Sequence, residues 1–108
     1  MSREKSIVVT TIDIEAMPEL TMEELCEACS VSPEYIEEII GYGVIEPMGT
    51  LDQMRFTEID LRRVRTILHL QNDLEINVAG AALVVDLMEE IEDMRARMEI
   101  LEKYFGQA

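Results

Sequence analysis

The stretch from Ile76 to Phe105, INVAGAALVVDLMEEIEDMRARMEILEKYF, predicts the longest element of the chain. Apolar residues recur in it at steps of three and four, which is the a/d pattern of a coiled coil. These residues are Val84, Leu87, Ile91, Met94, Met98, Leu101 and Phe105. A helix cannot bury such a narrow apolar stripe alone, so the pattern predicts a dimerisation helix. The alternative is a long terminal helix that packs on the chain's own domain.

The length of 108 residues allows one small domain and an appended helix. We place the domain at residues 1–76 and the helix at residues 77–108. The chain carries 23 acidic and 9 basic side chains, so its formal net charge is −14, which disfavours binding to nucleic acid or anionic membranes. We see no signal peptide and no apolar run near the ~20 residues that a membrane span needs. We therefore expect a soluble, cytoplasmic protein.

Helix start signals divide the first domain into short elements. Residues 7–14 are rich in β-branched side chains and predict a strand. Thr21 and Glu24 have the form of a capping box, and Ser32 followed by Pro33 is a second helix start. Two short helices joined by a turn of three or four residues predict a helix-turn-helix.

The rest of the first domain predicts a wing and a third helix. Residues 48–56 contain a glycine and alternating apolar side chains, which favour a small two-stranded hairpin. Thr57 is the predicted N-cap of the third helix, and Asn77 that of the long helix.

Cys26 and Cys29 form a CxxC inside the first predicted helix. A zinc site would need further ligands, and His69 is the only histidine. A redox CxxC usually opens a helix, where the helix dipole lowers the thiol pKa. We favour two small apolar residues on a packed face and keep a thiol redox protein as an alternative. We find no set of residues with catalytic or cofactor-binding spacing, so we do not expect an enzyme.

Two segments resemble a known family. LTMEELCEACSVSPEYIEEIIGYGVIEP (residues 20–47) and RFTEIDLRRVRTILHLQNDLEINVAGAALVVDL (residues 55–87) resemble MerR-type winged helix-turn-helix proteins, and within them the CbpM family of chaperone modulatory proteins. The resemblance implies a mainly α fold, with an N-terminal strand, a winged helix-turn-helix domain and an antiparallel coiled-coil helix. It also implies binding to the J-domain of a DnaJ-like co-chaperone of the CbpA type, and inhibition of that partner's co-chaperone and DNA-binding activities.

The predicted recognition helix lacks the chemistry of a DNA reader. Residues 21–46 contain no Lys or Arg and seven acids, whereas groove recognition needs cationic and amide side chains. Arg62, Arg63 and Arg65 form the main basic cluster, which we interpret as a solvated helix face with Asp60 and Asp73 as partners. The alternative is a MerR-type transcriptional regulator that contacts DNA through the wing and these arginines.

The acids of the second helix suggest a docking face for a basic partner. Glu34, Glu37 and Glu38 fall on the side opposite the apolar residues of that helix. Charge complementarity would orient the partner, and nearby apolar groups would supply much of the affinity. The apolar candidates are Tyr42, Val44 and Ile45. The alternative is a solvated acidic face in an acidic protein.

Overall fold

The computed structural model describes residues 19–106, so the strand predicted over residues 7–14 lies outside the described part of the chain. The described elements are mostly helical, which confirms the predicted fold class. The helices are α1 (Met22–Cys29), α2 (Pro33–Gly41), α3 (Glu58–Leu74) and α4 (Val78–Phe105). The strands are β1 (Leu20–Thr21), β2 (Met48–Thr50) and β3 (Gln53–Phe56).

Local capping builds the helix-turn-helix as the sequence predicts. The Thr21 backbone N–H donates to Glu24 Oε1 at 2.9 Å, and the Glu24 N–H donates to Thr21 Oγ1 at 3.1 Å. α1 ends at Cys29, and its C-cap residue Ser30 has a left-handed backbone (φ 58°) that turns the chain. Ser32 Oγ then accepts the Tyr35 N–H at 3.2 Å and starts α2.

The wing is part of a three-stranded antiparallel sheet in the order β1-β3-β2, whereas the sequence predicts two strands. In the hairpin, Thr50 pairs with Gln53, and Leu51 and Asp52 form the tip. On the other side of β3, Leu20 pairs with Phe56. β1 is too short for a sequence signal, because only its pairing with β3 defines it.

A single apolar core joins the helices and the wing. Its largest fully buried side chains are Leu25, Ile36, Ile39, Ile45, Phe56, Val64 and Ile67. The start of α4 completes this core with Val78, Ala81, Ala82 and Val85. The alanines are small, which allows the helix to pack closely. Asn77 is the N-cap of α4, so the predicted boundary falls at a helix start, but the first two turns of α4 pack with the domain before it.

Beyond these turns, α4 leaves its predicted apolar seam uncovered. Val84 is partly buried, while the exposed fraction of the other seam residues runs from 47% at Leu87 to 75% at Phe105. Asp93 and Arg97 form an i,i+4 ion pair along this helix at 3.1 Å. No helix within residues 19–106 has the length and apolar character of a transmembrane span.

A short polar chain fixes α2 against α3. The Tyr35 hydroxyl donates to Gln71 Oε1, and Gln71 Nε2 donates to the Ile76 carbonyl oxygen at 3.1 Å. Gln71 therefore connects the second helix of the helix-turn-helix to the junction that precedes α4. Tyr35 lies 36 residues from Gln71 in the sequence, and Gln71 lies 5 residues from Ile76. No local sequence pattern predicts either contact.

Candidate partner-binding surface

The acidic face predicted on α2 is present and accessible. Glu34, Glu37 and Glu38 are exposed, while Ile36 and Ile39 on the opposite side are buried. Pro33 and the Ser32 cap fix the start of this helix, and the core fixes its rotation. The three carboxylates therefore have a defined position on the surface of α2. We name Glu34, Glu37 and Glu38 the acidic face.

The neighbouring segments add charge of the same sign. The other four acids of residues 21–46 are also exposed: Glu23, Glu24, Glu27 and Glu46. Glu24 also serves as the capping-box acid of α1. Because this region has no Lys or Arg, its surface potential is negative and attracts cations rather than phosphates.

The predicted apolar partner residues are not equally accessible. Tyr42 is exposed at the C-cap of α2, but Val44 and Ile45 have exposed fractions of only 4% and 1%. The chain after α2 turns inward at Gly43, which has a left-handed φ of 78°, so the next two side chains enter the core. This burial corrects the expectation that all three are available, and it leaves Tyr42 as the accessible member of the set.

The two cysteines are buried free thiols. Burial raises the pKa of Cys26, and the negative charge of Glu34 raises it further. Burial also raises the pKa of Cys29 above its ordinary value, although Arg65 opposes the shift. A raised pKa lowers the thiolate fraction, which disfavours redox chemistry. Within residues 19–106, no group of three or more His, Cys, Asp or Glu side chains is placed to hold a metal ion.

The basic cluster on α3 pairs differently from the prediction. Arg63 Nε donates to Glu89 Oε2 on α4 at 2.7 Å, and its Nη1 donates to the Val44 carbonyl oxygen at 3.2 Å. Asp60, the expected partner, instead accepts the Thr57 N–H at 3.0 Å in a second capping box. The predicted acid partner of Arg63 was wrong, because the packing of α4 on α3 brings Glu89 to Arg63. Arg62 and Arg65 are exposed.

Asp60 is a structural residue that the sequence interpretation misassigned. It is the buried charged residue among those described, with an exposed fraction of 5%. Its own N–H donates to Thr57 Oγ1 at 3.2 Å, so each of the two side chains accepts the backbone N–H of the other residue. The spacing of Thr57 and Asp60 is the sequence signal that could have identified this role.

The fold identifies the class of protein to which this chain belongs. A helix-turn-helix, a small wing and a long terminal helix are the parts of a MerR-type protein. The family described as MerR HTH family regulatory protein matches residues 20–103, so the chain belongs to this family.

The names of the relatives of this chain are more specific than the description of the family. The chain is 32% identical over 101 residues to the chaperone modulatory protein CbpM of Coxiella burnetii strain Dugway 5J108-111, covering 93% of this chain and 95% of that protein. It is 28% identical over 89 residues to CbpM of Pseudomonas putida strain W619, covering 82% and 88%. CbpM of Pseudomonas entomophila strain L48 is 29% identical with the same coverage.

Proposed function

We propose that this chain is a chaperone modulator that binds the J-domain of a DnaJ-like co-chaperone of the CbpA type and inhibits its co-chaperone and DNA-binding activities. The observation that carries the proposal is an accessible helix-turn-helix in the MerR fold whose charged side chains are all acidic. The relatives' name, chaperone modulatory protein, supports the same conclusion.

The proposed mechanism is competitive docking. J-domains as a family carry a basic second helix, and the Hsp70 chaperone uses the same surface. Glu34, Glu37 and Glu38 would face this helix, and their charge would speed and orient the encounter. Tyr42, at the end of α2, would add apolar contact area next to the carboxylates. Inhibition then follows from occupying the surface and needs no chemical step.

We also propose that the chain is a homodimer through α4. The exposed apolar seam from Leu87 to Phe105 runs along almost all of the helix beyond the core. All six seam residues in this range are at least 47% exposed in the single chain, and a second copy of the helix would cover them.

DNA binding by the arginine cluster is the alternative, and the geometry favours it less. Arg63 is already held by Glu89 and the Val44 carbonyl. In the wing, Arg55 Nη1 lies 3.5 Å from Glu19 Oε1. A bound duplex would also approach the exposed acids of α1 and α2. A gel-shift affinity that falls steeply with salt would support this alternative.

Calorimetric titration of the chain into the isolated J-domain, at low and high salt, tests the proposal. The test variant carries Glu34→Lys, Glu37→Lys and Glu38→Lys. The matched control carries Asp73→Lys, Glu92→Lys and Glu99→Lys, which change the net charge equally at exposed positions outside the helix-turn-helix.

We expect wild-type binding that weakens with salt and a loss of at least about 100-fold in affinity for the test variant, because several attractive pairs become repulsive. The control should bind within about threefold of wild type at high salt, where long-range charge is screened. Absence of wild-type binding would refute the proposed function. Equal losses in both variants would show that net charge, not the acidic face, governs binding.

A further inference from the structure

A surface cleft lies between the wing and the first turns of α1 and α2. Its volume is about 580 Å³, which falls within the range of ligand-binding clefts in proteins. The wing hairpin forms one wall, and the starts of the two helices form the other. Leu51 at the hairpin tip borders this cleft and is 89% exposed.

Apolar groups line the inner part of the cleft. Met22 and Met54 line it and are partly buried against the core. Pro33 contributes a further apolar surface at the start of α2. Methionine side chains adapt to different apolar partners, because they are unbranched and polarisable. Together with Leu51, these groups form an apolar site that could receive one bulky side chain from another molecule.

Acidic side chains also line this cleft. Glu23, Glu37 and Asp52 line the cleft and carry three negative charges. Arg55 is the cation among the lining residues, and it faces Glu19 at 3.5 Å. The local charge is therefore negative, which favours cationic side chains at the entrance. Glu37 also belongs to the acidic face, so the cleft and that face form one continuous surface.

We propose that this wing cleft is a docking site for a basic amphipathic segment of the partner, in which one bulky apolar side chain is flanked by Lys or Arg. The apolar side chain inserts between Leu51 and Met54, and the flanking cations approach Glu23, Glu37 and Asp52. The proposal rests on the proposed function, because the segment belongs to the J-domain that meets the acidic face. The wing thus contributes affinity through apolar contact rather than through phosphate binding.

The test variant is Leu51→Ser, which removes the apolar group of the hairpin tip without changing the charge. Its matched control is Leu74→Ser, another exposed leucine, which lies at the end of α3 and away from the cleft. We expect Leu51→Ser to weaken J-domain binding about tenfold, as truncation of an interface anchor does. The salt dependence of its affinity should match wild type, since no charge is lost. Leu74→Ser should bind as wild type does.

Methyl NMR of the methionines gives a second, independent measurement on the folded wild-type chain. On titration with the J-domain, the Met22 and Met54 methyl signals should shift, and that of Met98 on α4 should not. Wild-type binding combined with an unaffected Leu51→Ser variant and unshifted Met22 and Met54 signals would overturn the cleft and leave the proposed function intact. Absence of wild-type binding would overturn both.

Discussion

Arg63 shows how one side chain can hold three segments together. It lies on α3, contacts the carbonyl oxygen of Val44 after α2, and pairs with Glu89 on α4. Both side chains of the ion pair are partly exposed, so the charge attraction itself contributes little. The hydrogen bond to Val44 has a different role, because it satisfies a backbone oxygen next to two buried side chains. Arg63 is therefore used within the fold.

The thiols of Cys26 and Cys29 should react slowly. Burial raises both pKa values above the ordinary value of about 8.5, so at pH 8 the native protein holds less thiolate than the unfolded chain. We expect iodoacetamide to modify the native thiols at least about tenfold more slowly than the urea-unfolded thiols, as followed by mass spectrometry. The folded state also binds these protons more tightly, so the free energy of unfolding should fall as the pH rises above the unfolded thiol pKa. Equal native and unfolded rates would restore the redox alternative.

Among the elements, the wing depends on one glycine. Gly49 has φ +90°, and a Cβ there would collide with the Gln53 carbonyl oxygen across the hairpin. We expect Gly49→Ala to lower the free energy of unfolding by about 1–3 kcal/mol, measured by urea denaturation. The control is Gly41→Ala at the end of α2, where a Cβ meets no atom within 4 Å. This control should be neutral or stabilising by up to about 1 kcal/mol, because alanine favours helix. Equal effects at both sites would contradict the assigned hairpin geometry.

The helix starts were predictable because their signals are local. Thr21, Ser32, Thr57 and Asn77 each accept a backbone N–H three residues ahead, so the cap and its partner are visible in a short window of sequence. The exposed carboxylates of α2 followed from helical periodicity for the same reason.

Contacts between distant segments were not predictable in this way. β1 exists only through its pairing with β3, and Glu89 meets Arg63 only after α4 packs on α3. The burial of Val44 and Ile45 likewise depends on where the chain turns at Gly43. The wing cleft belongs to this group, because its lining comes from three separate segments of the chain.

At the scale of the whole molecule, the exposed seam of α4 predicts the oligomeric state. We expect the wild-type chain to be a dimer by sedimentation equilibrium. Ile91→Lys places a charge in the middle of the seam and should raise the dimer dissociation constant at least about tenfold. Ala96→Lys adds the same charge at an exposed position outside the seam and should leave the dimer intact. A monomeric wild type, or equal effects of the two variants, would contradict dimerisation through this seam.

The length of α4 affects how tightly a dimer of this chain would bind its partner. Its 28 residues extend over about 42 Å, so an antiparallel pair of these helices would hold two helix-turn-helix units at opposite ends. Each dimer would be a bivalent ligand with a fixed spacing between its two binding surfaces. A partner that itself carries two J-domains at a matching spacing would be bound with avidity, since the second contact forms at a high effective concentration. A partner with one J-domain would show only the affinity of a single surface.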